Sequence, residues 1–137
     1  MSPEKILVVD DDGAILRLVA TILRREHYHV DMASGGKEAL SKIELTPYDV
    51  IVLDLMMPEV SGLDVLKSLD VSFPKIKCVV ILSAASSFDV AESVNSNVFV
   101  SLRKPFDNAA LIAAVRGCIE AHCPVLPLPI EPVAAAA

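Results

Sequence analysis

The sequence predicts an α/β domain: a doubly wound parallel sheet of five strands carrying five helices on its two faces. Three observations lead there. Short β-rich runs alternate five times with helical patterns, and such alternation gives a parallel sheet with right-handed crossovers. Three of the five β-rich runs are almost unbroken apolar stretches, the mark of strands covered on both faces. Those three runs carry no charge, whereas carboxylates, a serine and a lysine stand at the strand ends.

The elements follow in chain order. The β-rich runs are Ile6–Val9, His29–Ala33, Val50–Leu53, Cys78–Leu82 and Val98–Leu102. The first helix is predicted from Ile15, Leu18, Val19, Ile22 and Leu23, which fall on one stripe at helical spacing. Ala39, Leu40 and Ile43 form a shorter stripe after Ser34-Gly35-Gly36. Leu63, Leu66 and Leu69 form a third, after Pro58 and Gly62. The fourth helix, 86–96, is polar, with Phe88, Val90, Ala91 and Val94 as its packing residues. Asp107 is placed to cap the fifth, whose stripe is Leu111, Ile112, Val115, Cys118 and Ile119. The folded domain is expected over residues 1–123. Residues 124–137 hold four prolines and end in Ala134–Ala137, and read as an extended tail or a truncated linker.

Composition narrows the function. A chain of 137 residues is the size of one domain. It is 53% hydrophobic and only 4% aromatic, so it builds an aliphatic core and is not intrinsically disordered. The net charge of −6, without any basic run, excludes a nucleic-acid binder of the ordinary kind, because phosphate contacts need clustered cations. No apolar run is long enough to span a membrane, and the acidic N-terminal stretch does not read as a signal peptide. Cys78, Cys118 and Cys123 are odd in number and lack framework spacing, so three free thiols in a reducing, cytoplasmic compartment are expected.

In an open α/β sheet, ligands bind beyond the carboxyl ends of the strands. Asp10, Asp11 and Asp12 follow the first strand here. Asp54 ends the third, Ser83 the fourth, and Lys104-Pro105 comes just after the fifth. Converging carboxylates repel one another and call for a cation. Two or three of them with a backbone carbonyl suit Mg²⁺, a hard ion that takes oxygen ligands. The remaining hydroxyl and ammonium suit phosphoryl oxygens. These residues by themselves suggest Mg²⁺-assisted phosphoryl transfer to or from a carboxylate.

Four stretches resemble one family: ILVVDDD (Ile6–Asp12), DVIVLDLMMPEVSGLDVL (Asp49–Leu66), VVILSA (Val79–Ala84) and LRKPFD (Leu102–Asp107). In this order, each at a strand end, they resemble the receiver domain of two-component response regulators, which has the flavodoxin-like fold of the chemotaxis regulators. The resemblance implies strand order 2-1-3-4-5. It implies Asp54 as phospho-acceptor from a phosphohistidine, on a histidine kinase or a histidine phosphotransfer protein. Mg²⁺ would be held by Asp11, Asp54 and the backbone carbonyl of Met56, with Asp10 acting through a metal-bound water. Lys104, aimed by a cis bond to Pro105, and Ser83 would meet phosphoryl oxygens. Phosphorylation would then reshape the surface of helix four, strand five and helix five, where a downstream protein target, an effector domain or a second receiver binds.

Some positions depart from the family pattern. Ser101 stands where an aromatic toggle is usual, and Phe99, two residues earlier, is its substitute or a packing residue. Asn97 stands where Gly is frequent. Met56 and Ala85 flank the acceptor and the hydroxyl, and neither side chain can orient a water, so slow self-dephosphorylation is expected. Two other readings compete. Asp10-x-Asp12-Gly13 resembles the first motif of haloacid-dehalogenase phosphatases, with Asp10 as nucleophile and Asp12 as acid/base, although a cap domain and later paired carboxylates are lacking. The other is a receiver-like binding module that does not switch.

Overall fold

The computed structural model describes residues 4–55, 57, 59–72, 78–83 and 98–122, the side chains of 63, 69–72, 83, 98, 99 and 122 excepted. Five strands form one parallel sheet: β1 (Lys5–Val9), β2 (His29–Ala33), β3 (Val50–Asp54), β4 (Val79–Ser83) and β5 (Val98–Arg103). Their order is β2-β1-β3-β4-β5, as the resemblance implies. Helices α1 (Gly13–Arg25), α2 (Gly36–Leu45) and α3 (Gly62–Ser72) and a C-terminal helix (Asn108–His122) complete the described elements. The predicted helix at 86–96, and the tail from 123 onward, lie outside the described residues.

The unbroken apolar strands follow from burial on both faces. Side chains alternate across a strand. Ile6 and Val8 of β1 therefore join Val50 and Val52 of β3 in one core, against Leu16, Val19 and Leu23 of α1 and Leu111 and Val115 of the C-terminal helix. Leu7 and Val9 join Ile51 and Leu53 in the other, against Ala39 and Ile43 of α2 and Val65 and Leu66 of α3. Each such side chain contributes about 1.5–3 kcal/mol on leaving water. β2 is a sheet edge and reads differently, with His29 exposed and Val30 and Ala33 buried.

Two expectations about packing are corrected. The α1 stripe is rotated from the predicted one: Leu16, Val19, Ala20, Ile22 and Leu23 are buried, whereas Leu18 is 53% exposed. Ala20, too small to mark a face by its hydrophobicity, lies fully inside. The second correction concerns the thiols. Cys78, at the entry to β4, and Cys118, on the C-terminal helix, form a disulfide with Cα atoms 5.8 Å apart. They are 40 residues apart in sequence, and only the packing of that helix against β4 makes them neighbours.

Candidate functional site

The ends of β1 and β3 pair side by side, Val9 opposite Leu53. Asp10 therefore emerges beside Asp54, although 44 positions separate them in the chain. Both are buried, Asp10 fully and Asp54 to 3% exposure, while Asp11 is exposed. One carboxylate oxygen from each of Asp10, Asp11 and Asp54 can be chosen so that all three lie within 4.8 Å of one another. That spacing suits oxygen donors gathered on one hard cation, so these three residues could hold a metal ion.

Lys104 closes the site from the far side of the sheet. Its Nζ donates to Asp10 Oδ2 at 3.0 Å and lies 3.5 Å from Asp54 Oδ1. The Lys104–Pro105 peptide is cis. Burial lowers the lysine's pKa, but the hydrogen bond to Asp10 and the charges of Asp54 and Asp10 outweigh it, and the net shift is upward. The ammonium stays charged.

The loop after β3 is built tightly against the Asp54 end of the strand. Leu55 N–H donates to Leu82 O at 3.2 Å, and Gly62 N–H donates back to Leu55 O at 3.0 Å. A Cβ at Gly62 would run into the carbonyl oxygen of Asp54 and lie 2.6 Å from Leu55 Cα. Glycine is required here by close approach of backbone to backbone. Glu59, in the same loop, takes a left-handed conformation with φ of 63°.

The three acidic residues after β1 divide their work. Asp12 caps α1: its Oδ1 accepts from Ala14 N–H at 3.0 Å and Ile15 N–H at 3.3 Å. Both oxygens of Asp10 are engaged, Oδ1 by Asp12 N–H at 2.9 Å and Oδ2 by Lys104. An inaccessible, doubly bonded Asp10 beside a capping Asp12 does not form the nucleophile and acid/base pair of a haloacid-dehalogenase phosphatase. Ser83 terminates β4 with its backbone opposite Arg103. Its hydroxyl, the Met56 carbonyl, Ala85, Asn97 and the Phe99 ring lie outside the described residues. Ser101 is exposed and pairs with Ile81 across β4 and β5.

Sequence reasoning missed a polar contact that braces the sheet away from the site. Tyr48 O–H donates to Asp31 Oδ2 at 2.6 Å, tying the entry of β3 to the edge strand. A tyrosine between Pro47 and Asp49, just before a strand, and an aspartate within another were the available signals, and neither indicates the other.

Comparison with known proteins agrees with this geometry. The family described as "Response regulator receiver domain" matches residues 6–116. The transcriptional regulatory protein TrcR of Mycobacterium tuberculosis is 33% identical over 118 residues, covering 86% of this chain and 46% of TrcR. The chain thus spans about half the length of the curated relatives it matches. Among solved structures, the receiver domain of the Francisella response regulator 1452 is 37% identical with a TM-score of 0.77, over 86% of this chain and 98% of that one. TrrA of Thermotoga maritima, solved in complex with Mg²⁺-BeF, is 32% identical with a TM-score of 0.76, over 84% of this chain and 98% of that one. The match across 6–116, the strand order and the paired strand-end aspartates converge: the chain belongs to the receiver-domain family of two-component response regulators.

Proposed function

We propose that Asp54 is the phospho-acceptor of this receiver, and that the chain promotes its own phosphorylation and dephosphorylation rather than turning over a separate substrate. One observation carries the reading: Asp54 ends the central strand, buried beside Asp10, with the Lys104 ammonium 3.5 Å from its Oδ1. An Asp54 carboxylate oxygen attacks the phosphorus of a phosphohistidine on a histidine kinase or a histidine phosphotransfer protein. The P–N bond breaks and the imidazole leaves with its electron pair. Attack of water on the phosphorus later returns the carboxylate and releases phosphate.

Mg²⁺ is the cation that suits the donor set. Asp11, Asp54 and the Met56 carbonyl would hold it directly and Asp10 through water. When bound, it would neutralise phosphoryl charge. Lys104 supplies a fixed positive charge to a phosphoryl oxygen, and Ser83 a hydroxyl donor. The transition state for such a transfer is loose, so positioning and charge do most of the work.

The phosphoryl group adds about two negative charges and three acceptor oxygens. Lys104 then has a better partner than Asp10, and the segment leading into the C-terminal helix is biased toward a second arrangement. The output is a surface formed by segment 86–96, β5 and the C-terminal helix that docks a downstream protein target, an effector domain or a second copy of the receiver, in the cytoplasm and without direct contact to nucleic acid. No described helix is long and apolar enough to cross a membrane.

The test is labelling by acetyl phosphate with Mg²⁺, followed by mapping of the modified residue. Label on Asp54, absent in Asp54→Asn and decaying over minutes or longer, is the expected outcome. Label on Asp10 would return the phosphatase reading. Stable label with no change in partner affinity would return the non-switching module.

A further inference from the structure

The acceptor site occupies one end of the sheet. A second chemically capable pair of side chains lies away from it, between β4 and the C-terminal helix. We propose that Cys78 and Cys118 are a reversible redox modification site, a thiol pair that a small-molecule disulfide converts to the bridge and that sets how firmly the C-terminal helix is held on the sheet.

The backbones of the two residues lie at a separation that a disulfide can span. Their Cα atoms are 5.8 Å apart, within the range that a disulfide spans. Both side chains are buried in the same apolar core, Cys78 at 2% and Cys118 at 0% exposure. The bridge closes a 40-residue separation that takes in β4, β5 and the Lys104 segment. Among the described residues, the polar ties of the C-terminal helix are few and exposed. Asp107 caps its first turn through Ala110 N–H at 2.7 Å, and Arg116 meets Glu26 at 3.1 Å across an exposed surface. An exposed ion pair holds a helix weakly. A covalent tie at Cys118 is of another order, because it removes the open states of the helix rather than competing with them.

Burial and reactivity are compatible here because Cys118 lies about one turn from the helix end at His122. Terminal turns fray, and local opening gives reagents access without global unfolding. In a reducing compartment such a pair rests as thiols, and the bridges that do form there are characteristically transient and redox-sensing. The chemistry is two exchanges. One protein thiolate attacks the small disulfide, forming a mixed disulfide and releasing one small thiol. The second protein thiolate displaces the other small thiol and closes the bridge. Two protein thiols are oxidised, one small disulfide is reduced to two thiols, and the protons pass to the departing thiolates. The inference does not depend on the acceptor role of Asp54.

The experiment equilibrates the whole chain in glutathione buffers of stepped reduced-to-oxidised ratio. Free thiols are then trapped by alkylation, cross-linked peptides are mapped without reduction, and amide hydrogen exchange is followed in both forms. A Cys78–Cys118 link is expected to appear as the buffer becomes oxidising and to reverse in excess reduced glutathione. Amides of the C-terminal helix are expected to exchange about tenfold or more slowly in the bridged form. Cys123→Ala should leave both results unchanged, and Cys78→Ala or Cys118→Ala should abolish the link. Thiols that remain alkylatable at every ratio, a link through Cys123, or equal exchange in the two forms would overturn the proposal. The wild-type comparison stands even if an alanine variant folds poorly.

Discussion

The two ends of one sheet use the same residue types for different purposes. At the amino ends of the strands, Lys5 N–H donates to Asp49 Oδ2 at 2.8 Å, and Asp49 N–H donates back to Lys5 O at 2.8 Å. Asp49 is exposed, and its carboxylate serves the main chain. At the carboxyl ends, Asp10 and Asp54 are buried, share Lys104 as an ion-pair partner and lie close to Asp11. An exposed carboxylate matched to a donor is scaffold. Buried carboxylates drawn together are a place for a cation, because their mutual repulsion favours one. Parallel strands produce this asymmetry: every carboxyl end faces one way, and loops there are free to carry chemistry.

Substitutions at the two ends should therefore diverge. Asp10→Asn, at the site end, is expected to weaken Mg²⁺ binding by about 10–100-fold, the scale for residues that orient a metal's ligands. Calorimetric titration of the metal measures it, and unchanged affinity would break the contrast. Gly62→Ala should cost about 1–3 kcal/mol in denaturant unfolding, because the new Cβ strikes the Asp54 carbonyl. Gly35→Ala meets nothing within 4 Å and should stay within about 0.5 kcal/mol. Asp49→Asn, at the scaffold end, should cost about 1 kcal/mol or less and leave Mg²⁺ affinity as in the wild type.

The smallest effect is a titration away from the site. Burial, then the hydrogen bond to Asp31 and that carboxylate's charge, push the Tyr48 phenol up to about 12. The folded phenol keeps its proton where the unfolded one, near 10, has lost it. The stabilisation is complete below pH 10 and is lost as pH rises through about 12. In a Tyr28→Phe background, phenolate absorbance should rise near pH 12, and a midpoint near 10 would remove Tyr48 from the scaffold.

Much of the fold and of the site is legible in the residues alone. The strands His29–Ala33 and Val50–Asp54 lie within one residue of their predicted bounds because short apolar or alternating runs report burial directly. The site is legible for a related reason: Asp10 and Asp54 each stand at the first polar position after an apolar run, and Lys104 directly follows the last strand. The α1 face departs from expectation at Leu18, since five apolar positions on a helix leave the centre of the stripe undetermined by tens of degrees. The disulfide is invisible in the sequence because spacing of cysteines carries no information about a helix folding back onto a strand.

The sequence by itself determined the alternation of strands and helices, the end of the sheet where carboxylates and a lysine stand, and the identity of those groups, because these depend on periodicity and on residues adjacent in the chain. Only the tertiary structure decided that Asp10 binds Lys104, that Tyr48 answers Asp31, and that Cys78 meets Cys118. Those pairings depend on how right-handed crossovers stack distant segments, and a contact of a few ångströms between residues tens of positions apart leaves no local trace in the chain.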